Sequence, residues 1–313
     1  MNIIFMGTPD FSVSSLEKLY NSDGIEVMSV VTQPDRPRGR GQQMQPTSVK
    51  KKALELGIDV LQTNNVNTDS FLEVLKTQSP DVIVVVAFGQ KLSKELLDIP
   101  EYGCVNLHAS ILPEYRGASP IHQAILDGRS KTGVTTMYID EGWDTGDMIY
   151  KKEIPILDDD TVGTLHDKLA SIGADLLIKT LLDIKKGTAP REKQDDEKAT
   201  YTSKIGKKTG KIDWTQATRD VYNQVRGVNP WPGAYTYYQG DLLKIWKARI
   251  LQNYNGNPEE PGKIVEADSE NGFVIETGDG FIEINELQPA GRKRMSAKDY
   301  LHGYNIDTDE ILR

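Results

Sequence analysis

Asp81-Val82-Ile83-Val84-Val85-Val86-Ala87 decides the fold. Its five consecutive β-branched residues leave no polar face, as expected for a strand covered on both sides of a parallel sheet. The run is also far too short to cross a bilayer. Upstream, strand and helix signals alternate. Residues 2–6 are a short apolar strand, Gly7-Thr8-Pro9-Asp10 is turn chemistry, and 12–20 has the helical spacing Val13, Leu16, Leu19, Tyr20. Residues 26–32 make a second strand, 48–56 a helix, 58–61 a strand and 69–77 a helix. Downstream come strands at 105–107, 134–139 and 148–154, then a long helix over 161–186 that Thr161 caps and Gly187 ends. This alternation predicts the α/β class, with a doubly wound, mostly parallel sheet.

The pattern changes after residue 187. Residues 188–204 are rich in charge and poor in apolar side chains, so the linker falls there. Beyond it, a helix at 216–226 precedes short strands at 234–238, 243–251, 262–266, 272–276 and 281–287, separated by turns such as Gln239-Gly240 and Gly278-Asp279-Gly280. Strands at this spacing predict a smaller β-barrel, OB-like domain. The resulting division is a domain over 1–189, a linker over 190–206 and a barrel over 207–313. Trp231, between Pro230 and Pro232, is expected to be a packing anchor.

Composition narrows the function classes. A length of 313 residues suits two domains, and 38% hydrophobic with 27% charged residues is ordinary for a globular chain. The net charge of −9 excludes a chain that is basic throughout, so an anionic partner must meet a local patch. A single cysteine, Cys104, excludes a disulfide framework, and with four histidines it leaves little for a structural zinc site; no metal is expected. The first residues, Met1-Asn2-Ile3-Ile4-Phe5-Met6-Gly7, have no basic segment and read as a strand, not a signal peptide. The expectation is a cytoplasmic monomer with no membrane association.

In open α/β sheets ligands sit beyond the carboxyl ends of the strands, and 104–108 runs into such an end. Asn106 and His108 are two residues apart, so on an extended backbone their side chains point the same way. A plain reading makes them polar residues at a strand end, and makes Asp144 a turn residue in the glycine-rich loop Asp140-Glu141-Gly142-Trp143-Asp144-Thr145-Gly146-Asp147. Their wider context favours chemistry. Asn106-x-His108, then Ser110-x-Leu112-Pro113-x-Tyr115-Arg116-Gly117, then Asp140-x-Gly142-x-Asp144-Thr145-Gly146 resembles the formyltransferase family that uses 10-formyltetrahydrofolate. The likeness runs the length of the chain. It includes Phe5-x-Gly7-Thr8-Pro9-Asp10-Phe11, the loop Gln33-Pro34-Asp35-Arg36-Pro37-x-Gly39-Arg40-Gly41, Asn229-Pro230-Trp231-Pro232 and Gln288-Pro289-Ala290-Gly291. Ala109 departs from the pattern, where many relatives would have glycine.

The resemblance implies that Asn106, His108 and Asp144 are catalytic and that residues 1–189 form a Rossmann-like catalytic domain. It implies 10-formyltetrahydrofolate as co-substrate, lying against Phe88, Gly89 and Leu92, with Ser110, Ile111, Leu112, Pro113 and Asp140 closing over it. The acceptor it implies is the α-amino group of methionyl-initiator tRNA, in translation initiation. Arg36, Arg38 and Arg40 of the 33–46 loop would meet the tRNA acceptor end, and Lys204, Lys207, Lys208, Arg292 and Arg294 would meet it from the barrel. Each basic cluster can also be read as a solvated face, and Lys50-Lys51-Lys52 as a helix start. An amine attacking a formamide generates a tetrahedral oxyanion that needs donors already in place. Asn106 and His108 can supply them, and Asp144 can orient the imidazole and relay a proton.

Three rival readings are discriminable. A dinucleotide-dependent oxidoreductase needs a glycine-rich first turn, but Gly7-Thr8-Pro9 supplies one glycine and Pro9 lacks an N–H. A formyltransferase acting on an amino-sugar nucleotide or other small amine would not need the 33–41 loop or a basic barrel. A non-catalytic RNA-binding protein would not need Asn106, His108 and Asp144 together.

Overall fold

The computed structural model describes residues 1–38, 41–252, 254, 256–268, 270, 272–308 and 310–313, with the side chain of Arg38 excepted. Strands in the first 202 residues are Asn2–Gly7 (β1), Glu26–Thr32 (β2), Arg36–Arg38 (β3), Gln43–Gln45 (β4), Asp59–Gln62 (β5), Val82–Val86 (β6), Cys104–His108 (β7), Arg116–Gly117 (β8), Lys131–Tyr138 (β9), Met148–Pro155 (β10) and Tyr201–Thr202 (β11). Helices are Phe11–Tyr20 (α1), Ser48–Glu55 (α2), Asp69–Gln78 (α3), Lys94–Leu97 (α4), Pro120–Leu126 (α5) and Val162–Lys185 (α6).

Seven of these strands form one sheet in the order β10-β9-β7-β6-β1-β2-β5. The five from β7 to β5 are mutually parallel, and β9 returns antiparallel to β7. The sheet is therefore mostly parallel, with helices between its strands, as the alternation predicted. β6 is buried at every position, which explains its unbroken apolar run. Strand order reverses between β1 and β6, so their carboxyl ends open a crevice. Gly7 sits at this point because a Cβ there would lie 2.8 Å from the Phe5 ring and 2.9 Å from the Ser12 Cβ. Thr8 Oγ1 donates to the Phe88 carbonyl at 3.1 Å and Ser12 Oγ to the Val86 carbonyl at 2.6 Å, tying the two strand ends together.

Residues 33–46, expected to be an irregular loop, contain the antiparallel ribbon β3–β4, with Arg36 opposite Gln45 and Arg38 opposite Gln43. Gly39 and Arg40 lie outside the described residues.

The chain divides into two compact units. One comprises Met1–Pro120, Thr132–Ile154 and His166–Thr202; the other comprises Ile121–Lys131, Pro155–Leu165 and Ser203–Arg313. The second unit thus takes in two segments that precede residue 166. Its later elements are Thr218–Gly227 (α7), Ala234–Tyr238 (β12), Asp241–Leu251 (β13), Ile264–Asp268 (β14), Gly272–Glu276 (β15), Phe281–Pro289 (β16), Met295–Ser296 (β17) and Ala297–Gly303 (α8). The strands form an antiparallel sheet ordered β12-β13-β16-β15-β14, with β17 on β16. Residues 310–313 join its two outer strands. Ile264 N donates to Glu310 O at 3.0 Å and Leu312 N to Gly262 O at 2.8 Å on the β14 side, while Tyr237 N donates to Arg313 O at 2.8 Å on the β12 side. The result is a small barrel-like domain around Trp214, Ile245, Phe273, Ile282 and Tyr300. Trp231 is 54% exposed and is not the packing anchor expected, because more than half of its surface stays in solvent.

Candidate active site

β7 delivers the first two candidate groups. Its neighbours β6 and β9 hold it in register, with Asn106 opposite Val85 on one side and Met137 on the other. Strand alternation gives Asn106 and His108 a common side, and Asn106 is half-buried while His108 is 6% exposed.

Asp144 reaches them from the loop between β9 and β10. Its Oδ1 lies 3.5 Å from Asn106 Nδ2 and 3.6 Å from His108 Nδ1, and its Oδ2 accepts the Gly117 N–H at 2.8 Å. The opposite ring nitrogen, His108 Nε2, lies 2.9 Å from the Tyr115 carbonyl. The three side chains therefore converge at the carboxyl edge of the sheet, with a backbone donor and a backbone acceptor from 115–117 fixing them.

That segment is itself constrained. Arg116 and Gly117 (β8) pair with Tyr201 and Thr202 (β11). Gly117 adopts φ +107°, and a Cβ there would sit 2.5 Å from the Thr202 carbonyl, so only glycine fits. Tyr115 and Asp144 are non-glycine residues at φ +60° and +55°, a left-handed conformation that costs on the order of 1–2 kcal/mol each and persists only where the surroundings impose it. Asp144 is anchored by Gln194, whose Nε2 donates to the carbonyls of Asp144 and Gly146, both at 2.8 Å. Gln194 Oε1 accepts from Arg116 Nε at 3.0 Å.

The residues expected to hold the folate surround this point in different ways. Phe88 and Leu92 place their side chains in the core with Ile4, Met6 and Val85, so what they offer a ligand is backbone. Gly89, at φ +86° with open space where a Cβ would stand, permits close approach. Ser110 donates to Glu114 O at 2.6 Å, and Thr135 Oγ1 bonds both Ser110 O and Leu112 N, so Ser110–Pro113 is a fixed turn, closed by a cis peptide at Leu112–Pro113. Leu112 packs with Met137 and Met148, while Ile111 and Pro113 are half-buried. Asp140 Oδ1 accepts from Gly142 N and Thr145 Oγ1 at 2.9 and 2.6 Å and shapes the turn that presents Asp144.

The basic residues are dispersed. Arg36 is exposed on the ribbon. Lys50 and Lys52, both on α2, are ion-paired with Asp35 and Glu55 at 2.8 and 2.9 Å. In the second unit Lys204, Lys207, Lys208 and Arg292 are exposed, whereas Arg294 pairs with Glu286 at 2.5 Å and stacks over Trp246.

Two further titratable groups stand outside this constellation. Burial pushes the Cys104 thiol well up, so it stays protonated and inert. His166 is raised by the Asp10 carboxylate, 3.6 Å from its Nε2; burial opposes this, and Asp167, 2.9 Å from Nδ1, adds to it. Among the described residues no cluster of His, Cys, Asp or Glu could hold a metal ion.

The sequence reading missed Gln194, Thr135 and the backbone of Tyr115 and Gly117. Gln194 falls in the expected linker, where a neutral amide among charges gives no periodic signal.

A doubly wound sheet with an amide, an imidazole and a carboxylate at its carboxyl edge, followed by a small antiparallel barrel, defines a class of group-transfer enzymes, and the chain belongs to the formyl transferase family. The family model for formyl transferase matches residues 1–181, and that for the formyl transferase C-terminal domain matches 204–305. Methionyl-tRNA formyltransferase of Halothermothrix orenii is 59% identical over 315 residues, covering 100% of both chains. The enzyme of that name from Bacillus subtilis is 48% identical over 311 residues, covering 99% of this chain and 97% of its own. Among solved structures, an N-formyltransferase from Helicobacter canadensis, in complex with folinic acid and dTDP-3-aminofucose, superposes with a TM-score of 0.69 at 23% identity, over 92% of this chain and 98% of its own. At that identity the likeness is one of fold.

Proposed function

We propose that this chain transfers the formyl group of 10-formyltetrahydrofolate to the α-amino group of methionyl-initiator tRNA, as a cytoplasmic monomer. The carrying observation is the convergence of Asn106, His108 and Asp144 within 3.6 Å, in a chain matched end to end by relatives bearing the methionyl-tRNA formyltransferase name. That full-length match favours a charged tRNA over an amino-sugar nucleotide as acceptor.

The amine nitrogen attacks the formyl carbon, and the carbonyl oxygen becomes an oxyanion. Asn106 turns one Nδ2 hydrogen toward Asp144 and keeps the other for that oxygen. His108 holds its Nε2 hydrogen on Tyr115, so it donates to the oxyanion in its imidazolium form, through a hydrogen on Nδ1 beside the Asp144 carboxylate. Asp144 fixes both groups and accepts the amine proton directly or through water. Collapse of the intermediate breaks the bond to the folate nitrogen, which takes up the proton that Asp144 had accepted, so the carboxylate is regenerated. An α-ammonium group titrates at about 8, so at neutral pH it must lose a proton before it attacks, and a nearby acceptor is useful.

The donor's pterin would rest on the backbone at Phe88, Gly89 and Leu92, under Ser110–Pro113 and the Asp140 turn. Residues 1–189 would act as catalytic domain, 190–206 as linker and 207–313 as tRNA-binding domain. Arg36, Arg38 and Arg40 would meet the acceptor end; Lys204, Lys207, Lys208, Arg292 and Arg294 would meet the tRNA body. The test is formyl transfer from 10-formyltetrahydrofolate to charged initiator tRNA, beside an amino-sugar nucleotide. Turnover with the tRNA alone is expected, and turnover with the sugar alone would overturn the acceptor assignment.

A further inference from the structure

We infer that Gln194 is a positioning residue for formyl transfer, acting through Asp144; this rests on the proposed roles of Asn106, His108 and Asp144. Gln194 is 4% exposed, and its amide is fully used. Both amide hydrogens go to carbonyls of the 140–147 loop, one on Asp144 itself and one on Gly146, each at 2.8 Å. The amide oxygen takes Arg116 Nε at 3.0 Å. Three partners of fixed polarity leave the amide one orientation, since reversing it would set an oxygen against two carbonyls.

Arg116 is 1% exposed and is held in turn by Asp196 Oδ1 at 2.8 Å and by the Tyr201 hydroxyl at 3.1 Å. Its neighbours in sequence are the two residues whose backbones touch the reacting groups: Tyr115, whose carbonyl meets His108 Nε2, and Gly117, whose N–H meets Asp144 Oδ2. One buried amide therefore joins the loop that carries the carboxylate to the strand that fixes both the carboxylate and the imidazole. Asp144 needs such an anchor, because at φ +55° an aspartate relaxes unless its backbone is held on the far side. Loss of the anchor moves Oδ1 relative to Asn106 and His108, and small misplacements of reacting groups are costly in rate.

A purely structural amide would hold residues 190–202 onto the domain and nothing more. Gln194→Glu separates the two roles: one carboxylate oxygen still accepts from Arg116, while the other faces the Asp144 and Gly146 carbonyls. The experiment measures kcat and the KM for charged initiator tRNA, for Gln194→Glu in the otherwise unaltered chain and in an Asp144→Ala chain assayed under single-turnover conditions. Expected is a loss in kcat of about 10–100-fold with KM for the tRNA within about threefold, and no further loss beyond about twofold once Asp144 is alanine, because groups acting as a unit are non-additive. Wild-type kcat, or an equal loss in both backgrounds, overturns the inference. Gln194→Met, which removes all three hydrogen bonds without adding charge, is judged by the same criteria if the glutamate variant does not fold. His108→Ala keeps the two levels apart. Full turnover in that variant sinks the functional reading itself, whereas an inactive His108→Ala beside fully active Gln194 variants sinks only this inference.

Discussion

His108 Nε2 lies 2.9 Å from the carbonyl oxygen of Tyr115. A carbonyl only accepts, so Nε2 carries a hydrogen and Nδ1, facing Asp144 at 3.6 Å, is the nitrogen left for chemistry. A glutamine at 108 could still reach the Tyr115 carbonyl but would present nothing in the place of Nδ1. His108→Gln should therefore lose about 100–1,000-fold in kcat, with folate binding by calorimetry within about threefold of wild type. A variant turning over at near the native rate would show that Nδ1 has no part in the reaction.

Asp144→Asn removes the charge while leaving the backbone anchor of the loop in place. The Asn oxygen can keep the Gly117 N–H, now held at 2.8 Å by Oδ2, so the loop should stay in place. What is lost is the negative charge beside the imidazole, the ability to take a proton, and the acceptor for Asn106 Nδ2, because the new amide nitrogen stands where Oδ1 was. The expectation is a fall in kcat of about 100-fold or more with a thermal midpoint near wild type. A large drop in the midpoint would mean that the carboxylate is mainly structural.

Gly117→Ala should fail on both counts. The residue adopts φ +107°, and the new Cβ would stand 2.5 Å from the Thr202 carbonyl. Strain plus clash should cost on the order of 2 kcal/mol or more, and the Gly117 N–H would leave Asp144. Urea unfolding and kcat measured on the same preparation should fall together.

The Asp10–His166 pair gives stability a defined pH dependence. In the unfolded chain the imidazole titrates near ~6.5 and the carboxyl near ~3.9. His166 is raised in the folded state, chiefly by Asp10, so its contribution is complete below ~6.5 and fades as pH climbs through the raised value. Asp10 is lowered, chiefly by His166, so its contribution is complete above ~3.9 and fades as pH falls through the lowered value. Between those limits both are present. The stability advantage of wild type over His166→Gln, from urea unfolding, should be larger at about pH 5.5 than at about pH 8.5. An advantage that grows toward alkaline pH would contradict the pairing.

Lys207 and Lys208 are exposed, on a single turn at Lys207–Gly210. If they touch phosphates, changing both to alanine should raise the KM for charged tRNA and leave kcat intact. The dependence of log affinity on log salt should become shallower by roughly 0.7–0.9 per lysine. An unchanged slope would mark them as solvated surface.

How legible each part was in the sequence follows from how local its cause is. Val82–Val86 announced a buried parallel strand because burial on both faces is written into five successive residues. Asn106 and His108 were legible as a pair because strand periodicity alone places them on one side. Asp144 was reached by resemblance, since its approach depends on a loop at φ +55° and on contacts with Gly117 and Gln194, far away in the chain. The β3–β4 ribbon escaped because Arg36-Pro37-Arg38 and Gln43-Met44-Gln45 have little β character, and their pairing comes from cross-strand register. Trp231 misled because bulk suggests burial, whereas the side chain is 54% exposed.

The pairing of residues 310–313 with both Tyr237 and Gly262 has a practical corollary. These four residues act as the staple of the small domain, and trimming them would bare two strand borders at once. Unpaired borders recruit other chains, so a truncated form should tend to self-associate, and a peptide fused after Arg313 would begin at a backbone position already committed to the sheet.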